Sequence, residues 1–130
     1  MPGELVDETG RVVCPRCFRA GTMGARMRGL LGRKSLPEGE GLLIPRTGSI
    51  HTFFMAFPID VVFLDREGRV KSVAPAVPRG RTRAHRGAKS VVELAAGEAA
   101  RAGIAEGAKL EWRPLPDRVG SGDAARRRRE

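Results

Sequence analysis

The sequence predicts a mainly β (α+β) domain: a compact antiparallel sandwich or barrel-like sheet with two short helices on its outside. Two observations carry this. About seven or eight short apolar runs follow one another, separated by turns rich in Gly and Pro. They come as hairpin-like neighbours, not as alternating β-α-β units. A third observation locates the core. Ile59 to Leu64, I-D-V-V-F-L, is an almost unbroken apolar run, as expected of a strand buried on both faces.

In order, Glu4–Asp7 and Arg11–Cys14 read as strands joined by a turn at Glu8-Thr9-Gly10, and Pro15, without an N–H to donate, ends their pairing. Thr22–Leu31 is the first helix. Thr22 can cap it, Met23, Met27, Leu30 and Leu31 share one face, and Gly32 follows as a left-handed cap. Gly24 and Gly29 each weaken it by about 1 kcal/mol relative to Ala, so it needs a sheet to pack on. Ser35–Gly41 is a loop, Leu42–Pro45 a short strand and Arg46-Thr47-Gly48 a turn.

The segment Ser49–Asp65 holds four of the five Phe residues and one of the two His. Ile50–Phe54 is extended, Ala56–Pro58 turns, and Ile59–Asp65 is the central strand. Arg66-Glu67-Gly68 returns the chain to a more exposed strand, Arg69–Ala74. Val77–Ala88, with Pro78, Gly80 and Gly87, reads as a long basic loop without structure of its own. Ser90–Ala95 is a buried strand, Gly97–Ala102 a second short helix closed by Gly103, and Ala108–Arg113 a last strand anchored by Trp112. Pro114 and Pro116 end the fold. From Asp117 the chain is polar, Gly-rich and basic, the signature of a disordered tail. Residues 1–116 thus form one domain, with a core of about 5–112, and 117–130 a basic tail.

Composition narrows the function. Hydrophobic residues make up 41% and charged residues 30%, which suits a globular chain. Aromatic residues are only 5%, so the core is aliphatic with Phe as anchor. The net charge of +9 favours loose polyanion binding through Arg79–Arg86 and Arg126–Arg129. Without the terminal Arg run the excess is about +5, ordinary for a solvated surface. The N-terminus has neither a basic n-region nor an apolar h-region, two Cys do not make a disulfide framework, and no run approaches the roughly 18 apolar residues of a membrane span. A cytoplasmic location is the resulting expectation. No P-loop, dinucleotide-binding glycine fingerprint, nucleophile elbow or H-E-x-x-H motif is present, which counts against several large enzyme classes.

Four constellations remain. Asp60 and Glu93 are carboxylates inside apolar strands, and each needs a partner, since an unpaired buried charge is costly. Arg28, His51, Lys89 and backbone amides are the candidates. His51 with Thr52 and Asp60 is a candidate acid/base group, because histidine titrates near neutrality. Ser49 shares a strand face with His51, but a nucleophile and base so close along one strand are badly placed for a triad. C-P-R-C, Cys14 to Cys17, is half a zinc site, two small residues closing a turn, or a redox pair. The basic stretch Arg79–Arg86 suits carboxylate or phosphate groups, and it has no interleaved aromatic residue on which a base would stack.

The ordered blocks R-M-R-G-L-L-G-R (Arg26–Arg33), E-G-L-L-I (Glu40–Ile44), H-T-F-F-M-A-F-P-I-D-V-V-F-L-D-R-E-G-R-V (His51–Val70), V-V-E-L-A-A-G (Val91–Gly97) and G-I-A-E-G-A-K-L (Gly103–Leu110) resemble the family known as domain of unknown function 192. The resemblance runs from roughly Leu5 to Trp112. It implies a small β-rich fold with short helices, and no established activity. Many relatives carry Trp where Phe54 stands and are exported behind a signal peptide. The C-P-R-C segment and the Arg tail stand outside the family pattern.

The expectation is therefore a non-enzymatic domain binding a small ligand or peptide. Its site would comprise Arg28, His51, Thr52, Met55, Asp60 and Glu93, beside the apolar Phe54 and Phe57, and it would carry no resident cofactor. One alternative is a hydrolase or lyase using His51 and Asp60. The other is a nucleic-acid-associated basic protein.

Overall fold

The structure, a computed structural model, describes residues 2–20, 36–53 and 55–116. The strands are β1 (Pro2–Asp7), β2 (Val12–Arg19), β3 (Glu40–Pro45), β4 (Ser49–His51), β5 (Ile59–Leu64), β6 (Val70–Val77), β7 (Thr82–Ala84), β8 (Ser90–Ala95) and β9 (Leu110–Pro114), with one helix, α1 (Glu98–Arg101), before β9. Seven strands build one sheet in the order β6-β5-β8-β3-β2-β1-β9, and β4 pairs with β7 in a second, smaller sheet. No helix among the described residues is long and apolar enough to cross a membrane.

The fold is mainly β, as expected, but the large sheet is mixed, not antiparallel. β2 and β3 run parallel, in register from Arg16–Glu40 to Arg19–Leu43. A parallel pair needs a long crossover, and residues 20–39 are enough chain to make one. Nor is the sheet a closed barrel. It curls until its edge strands touch at one corner, through the bridge Arg69–Lys109 and the bonds Val70 N to Ala108 O and Leu110 N to Gly68 O, each 2.8 Å. The expectation of two helices is not borne out. Among the described residues only α1 forms, within the expected Gly97–Ala102, and Thr22–Leu31 lies outside them.

Alternation along β5 gives the sheet two apolar faces. Val62 and Leu64 point into the curl, with Leu5, Cys17, Val92, Leu94 and Leu110. Ile59, Val61 and Phe63 point outward into a second core with Leu42, Ile44, Ile50, Met55 and Val91. Ile50 of β4 belongs to this outer core, so the small sheet covers part of the outer face.

Two strands run on where the sequence suggested a stop. β2 continues past Pro15 to Arg19, because a register irregularity absorbs the proline: Cys14 faces Leu5 and Cys17 faces Gly3, so the two residues Pro15 and Arg16 stand against the single Glu4 of β1. β6 continues through Pro75 to Val77, which an edge strand tolerates. The stretch read as an unstructured loop contains β7, paired with β4 as Ser49–Ala84, Ile50–Arg83 and His51–Thr82.

Candidate functional site

The two buried acids lie on opposite faces of the sheet. Asp60 is opposite Leu94 and shares the inner face with Val62. Glu93 is opposite Val61 on one side and Leu42 on the other, so it shares the outer face. Asp60 is 1% exposed and Glu93 0%.

The Asp60 carboxylate has a defined task. Its Oδ1 accepts the Ala76 amide at 2.8 Å and its Oδ2 the Ala99 amide at 2.9 Å. Ala76 sits in a bulge: Ile59 faces Val77 and Val61 faces Ala74, so Pro75 and Ala76 together oppose Asp60. Ala76 holds φ at 47°, the left-handed region that residues with a Cβ avoid. Ala99 lies in the first turn of α1, whose N-cap Gly97 has no side chain to offer. Asp60 therefore acts as a distant cap for α1 and a latch on the bulge.

Thr52 is also wholly buried and also a clasp. Its hydroxyl donates to the Pro78 carbonyl at 2.6 Å and accepts the Arg81 amide at 2.9 Å. Its backbone carbonyl takes the amides of Gly80 and Met55 at 3.0 and 3.2 Å. One residue thus fixes the turn before β7 and the start of the aromatic segment.

The half-buried His51 ring stacks on Phe53, with centroids 5.0 Å apart and planes 21° from parallel. Phe53 is 50% exposed, a large apolar side chain facing solvent. Met55, two residues on, is buried in the outer core, and Phe57 packs against the same core. Arg28 and Phe54 lie outside the described residues. The sequence reading did not single out Phe53. Its signal was its place in the strict alternation Ile50-in, His51-out, Thr52-in, Phe53-out.

Cys14 and Cys17 are buried free thiols. Three positions apart, they would point to opposite faces of a regular strand, but the irregularity at Pro15–Arg16 puts both in the inner core. The Cys14 thiol reaches the Gly39 carbonyl at 3.5 Å. A hydrogen bond between the two sulfurs, then burial, pushes the Cys17 thiol far above the ordinary range, and the same bond lowers Cys14 against the opposing effect of burial. Among the described residues no three His, Cys, Asp or Glu side chains gather as a metal shell would require.

In the basic stretch, Arg79, Arg81 and Arg86 are exposed, while Arg83 is partly buried and donates to the Thr82 carbonyl at 2.9 Å. Two clefts open elsewhere. One, of about 560 Å³, has an acidic lip formed by Asp7, Glu8, Glu67 and Glu111. The other, of about 440 Å³, is lined by Arg46, Thr47, Gly48, Arg66, Ala88 and Lys89.

Comparison with known proteins follows the same lines. The family model DUF192, described as Uncharacterized ACR, matches residues 6–112. A solved protein of unknown function from Novosphingobium aromaticivorans DSM 12444 superposes with a TM-score of 0.71 at 28% identity, over 86% of this chain and 84% of its own. Another, from Sinorhizobium meliloti 1021 and provisionally named a transcription regulator, gives 0.72 at 24% identity, over 85% of this chain and 92% of its own, a likeness of fold. No curated protein matches the chain.

Proposed function

The chain belongs to the DUF192 family, and from that premise we propose that it is a non-enzymatic binding domain whose site is the exposed aromatic edge at His51–Met55. The observation that carries this reading is Phe53, half exposed yet stacked on His51. An aromatic ring facing water costs solvation and supplies contact area to a partner. Here it stands beside a clasped turn, since Thr52 ties its own strand to Pro78 and Arg81. A site prepared in this way loses little entropy when a ligand binds.

The roles then divide. His51 and Phe53 form the contact surface, and Met55 and Phe57 back it from the outer core. Thr52 holds the turn and Asp60 braces β5 from the opposite face. Glu93 is the buried polar group on the ligand's side of the sheet, and Arg28 is its proposed cationic neighbour. The ligand is a small molecule or peptide segment with an apolar or aromatic group to lay on Phe53. Asp60 is no acid/base partner in this reading, because both of its oxygens already accept backbone amides.

The test is an NMR screen of the full chain with aromatic fragments and short Phe- or Trp-containing peptides. Shifts should concentrate at 51–57 and 78–82 and vanish in Phe53→Ala. Binding that survives Phe53→Ala, or shifts confined elsewhere, overturns the site. Ester or phosphoester turnover that is lost in His51→Ala overturns the non-enzymatic assignment.

A further inference from the structure

The sheet end opposite α1 holds a second feature. β3 and β5 both finish there and β8 begins there, so three connections converge: Arg46-Thr47-Gly48, the β5–β6 hairpin at Arg66, and Ala88-Lys89. Between them lies the cleft of about 440 Å³, whose lining carries three cationic side chains and, among the described residues, no carboxylate. Arg46, Arg66 and Lys89 are all exposed. Like charges do not gather without cost, and no ion pair joins Arg66 or Lys89 to an acid among the described residues. The neighbouring Asp65 is turned into its own hairpin, where its Oδ1 accepts the Glu67 and Arg69 amides at 2.9 Å each.

The floor of the cleft is built rigidly. Thr47 N donates to Lys89 O at 3.1 Å, Lys89 N to Leu64 O at 2.7 Å and His85 N to Gly48 O at 3.0 Å. A Cβ at Gly48 would stand 2.9 Å from the Ala88 carbonyl, so the two backbones meet in van der Waals contact that only glycine permits. Arg46 holds φ at 60°, an unfavoured backbone for so large a residue. Strained backbone of this kind concentrates where a side chain has a task.

We propose that this cleft is an anion site for a terminal phosphate or diphosphate group. The two guanidinium groups offer forked donors that match phosphate oxygens, and the Lys89 ammonium adds a point charge. Three converging cations suit a group bearing two or three negative charges better than the single charge of a backbone phosphodiester. The volume falls in the range of small-molecule pockets, and the lining residues Arg46, Thr47, Gly48, Arg66, Ala88 and Lys89 include no aromatic ring on which a base would stack.

The test uses the full chain and sodium pyrophosphate, titrated calorimetrically at constant ionic strength. Saturable one-to-one binding is expected. Arg66→Gln/Lys89→Gln should weaken it by about tenfold or more, whereas Arg16→Gln/Arg79→Gln, which removes equal charge elsewhere, should leave it within about twofold. Circular dichroism checks the fold, and Arg66→Gln alone, on an exposed hairpin, serves if the double variant is unstable. A second arm sediments the protein with phosphatidylcholine vesicles containing phosphatidate. Pyrophosphate saturation without sedimentation identifies a soluble ligand, and sedimentation that pyrophosphate competes away identifies a lipid headgroup. Neither form of binding, or equal loss in both charge variants, overturns the site.

Discussion

The Asp60 carboxylate on β5 and the Ala99 amide of α1, 39 positions apart in the chain, meet at 2.9 Å. The other Asp60 oxygen holds the Ala76 amide on β6 at 2.8 Å. A single side chain therefore ties an edge strand, its neighbour and the only described helix into one corner. A buried carboxylate is tolerated there because charge-assisted bonds to two amides replace its water.

Asp60→Asn should lower the unfolding free energy by about 2–3 kcal/mol, because its NH2 group would face an amide donor and leave one buried N–H unsatisfied. Urea denaturation followed by circular dichroism measures this. A change within experimental error would mean that the two bonds contribute little.

The bulge makes a coupled prediction. Ala76→Gly removes the penalty of φ 47° and should stabilise the fold by about 0.5–1 kcal/mol, after allowing for the freer unfolded chain. Because Asp60 grips this same amide, the two substitutions should not add. A double-mutant cycle should give a coupling above about 0.5 kcal/mol, and strict additivity would contradict the latch.

Acid should loosen the corner from the helix side. The Glu98 carboxyl is held below its ordinary 4.5 chiefly by the Arg101 side chain, against the opposing effect of burial, with a smaller lowering by the Gly39 amide. Its folded value lies below its unfolded one, so its contribution is full above pH 4.5 and fades as pH falls through the folded value. Asp7 and Asp65, lowered from 3.8 chiefly by the Thr9 hydroxyl and the Arg69 amide respectively, add to the same acid limb. The thermal midpoint should be flat above about pH 5 and drop below about pH 4. Glu98→Gln should drop less steeply, and parallel curves for the two proteins would remove Glu98 from the explanation.

Cys14 and Cys17 are 1% and 0% exposed. An aromatic disulfide reagent should consume both thiols at once in urea. In native buffer it should react only as fast as the fold opens. A fast native equivalent, at Cys14 with its lowered thiol, would show that the inner core is accessible at this point.

Gly41→Ala tests the packing around those thiols. A Cβ at Gly41 would lie 2.7 Å from Leu94 Cδ2 and 3.0 Å from Cys14 Sγ, with the Glu93 carbonyl at 3.2 Å. The Leu94 side chain on β8 and the Cys14 side chain on β2 would have to shift, at about 1–3 kcal/mol. An unchanged urea midpoint would mean that this part of the core yields freely.

Much of the fold was legible in the sequence. Ser90–Ala95 is β8 to the residue, and Ile59–Leu64 is buried at every position, because apolar runs of strand length leave little choice. What could not be read was parity. Whether Asp60 and Glu93 meet depends on which residues of β5 and β8 stand opposite, and one residue of register decides the face. The same blindness hid the shared face of Cys14 and Cys17, which rests on an irregularity that no local motif announces. β7 was invisible because its partner β4 supplies the pairing, and Thr-Arg-Ala has no pattern of its own.

Among the described residues, the corner contact between β6 and β9 leaves the rest of both edge strands without a neighbouring strand on the outer side. Each margin carries its own protection. Pro75 and the Ala76 bulge interrupt the β6 ladder, and Glu111, Arg113 and Pro114 set charge and a missing donor along β9. Both margins therefore carry features that disfavour strand-to-strand polymerisation, the means by which a curled sheet that does not close limits fibre growth.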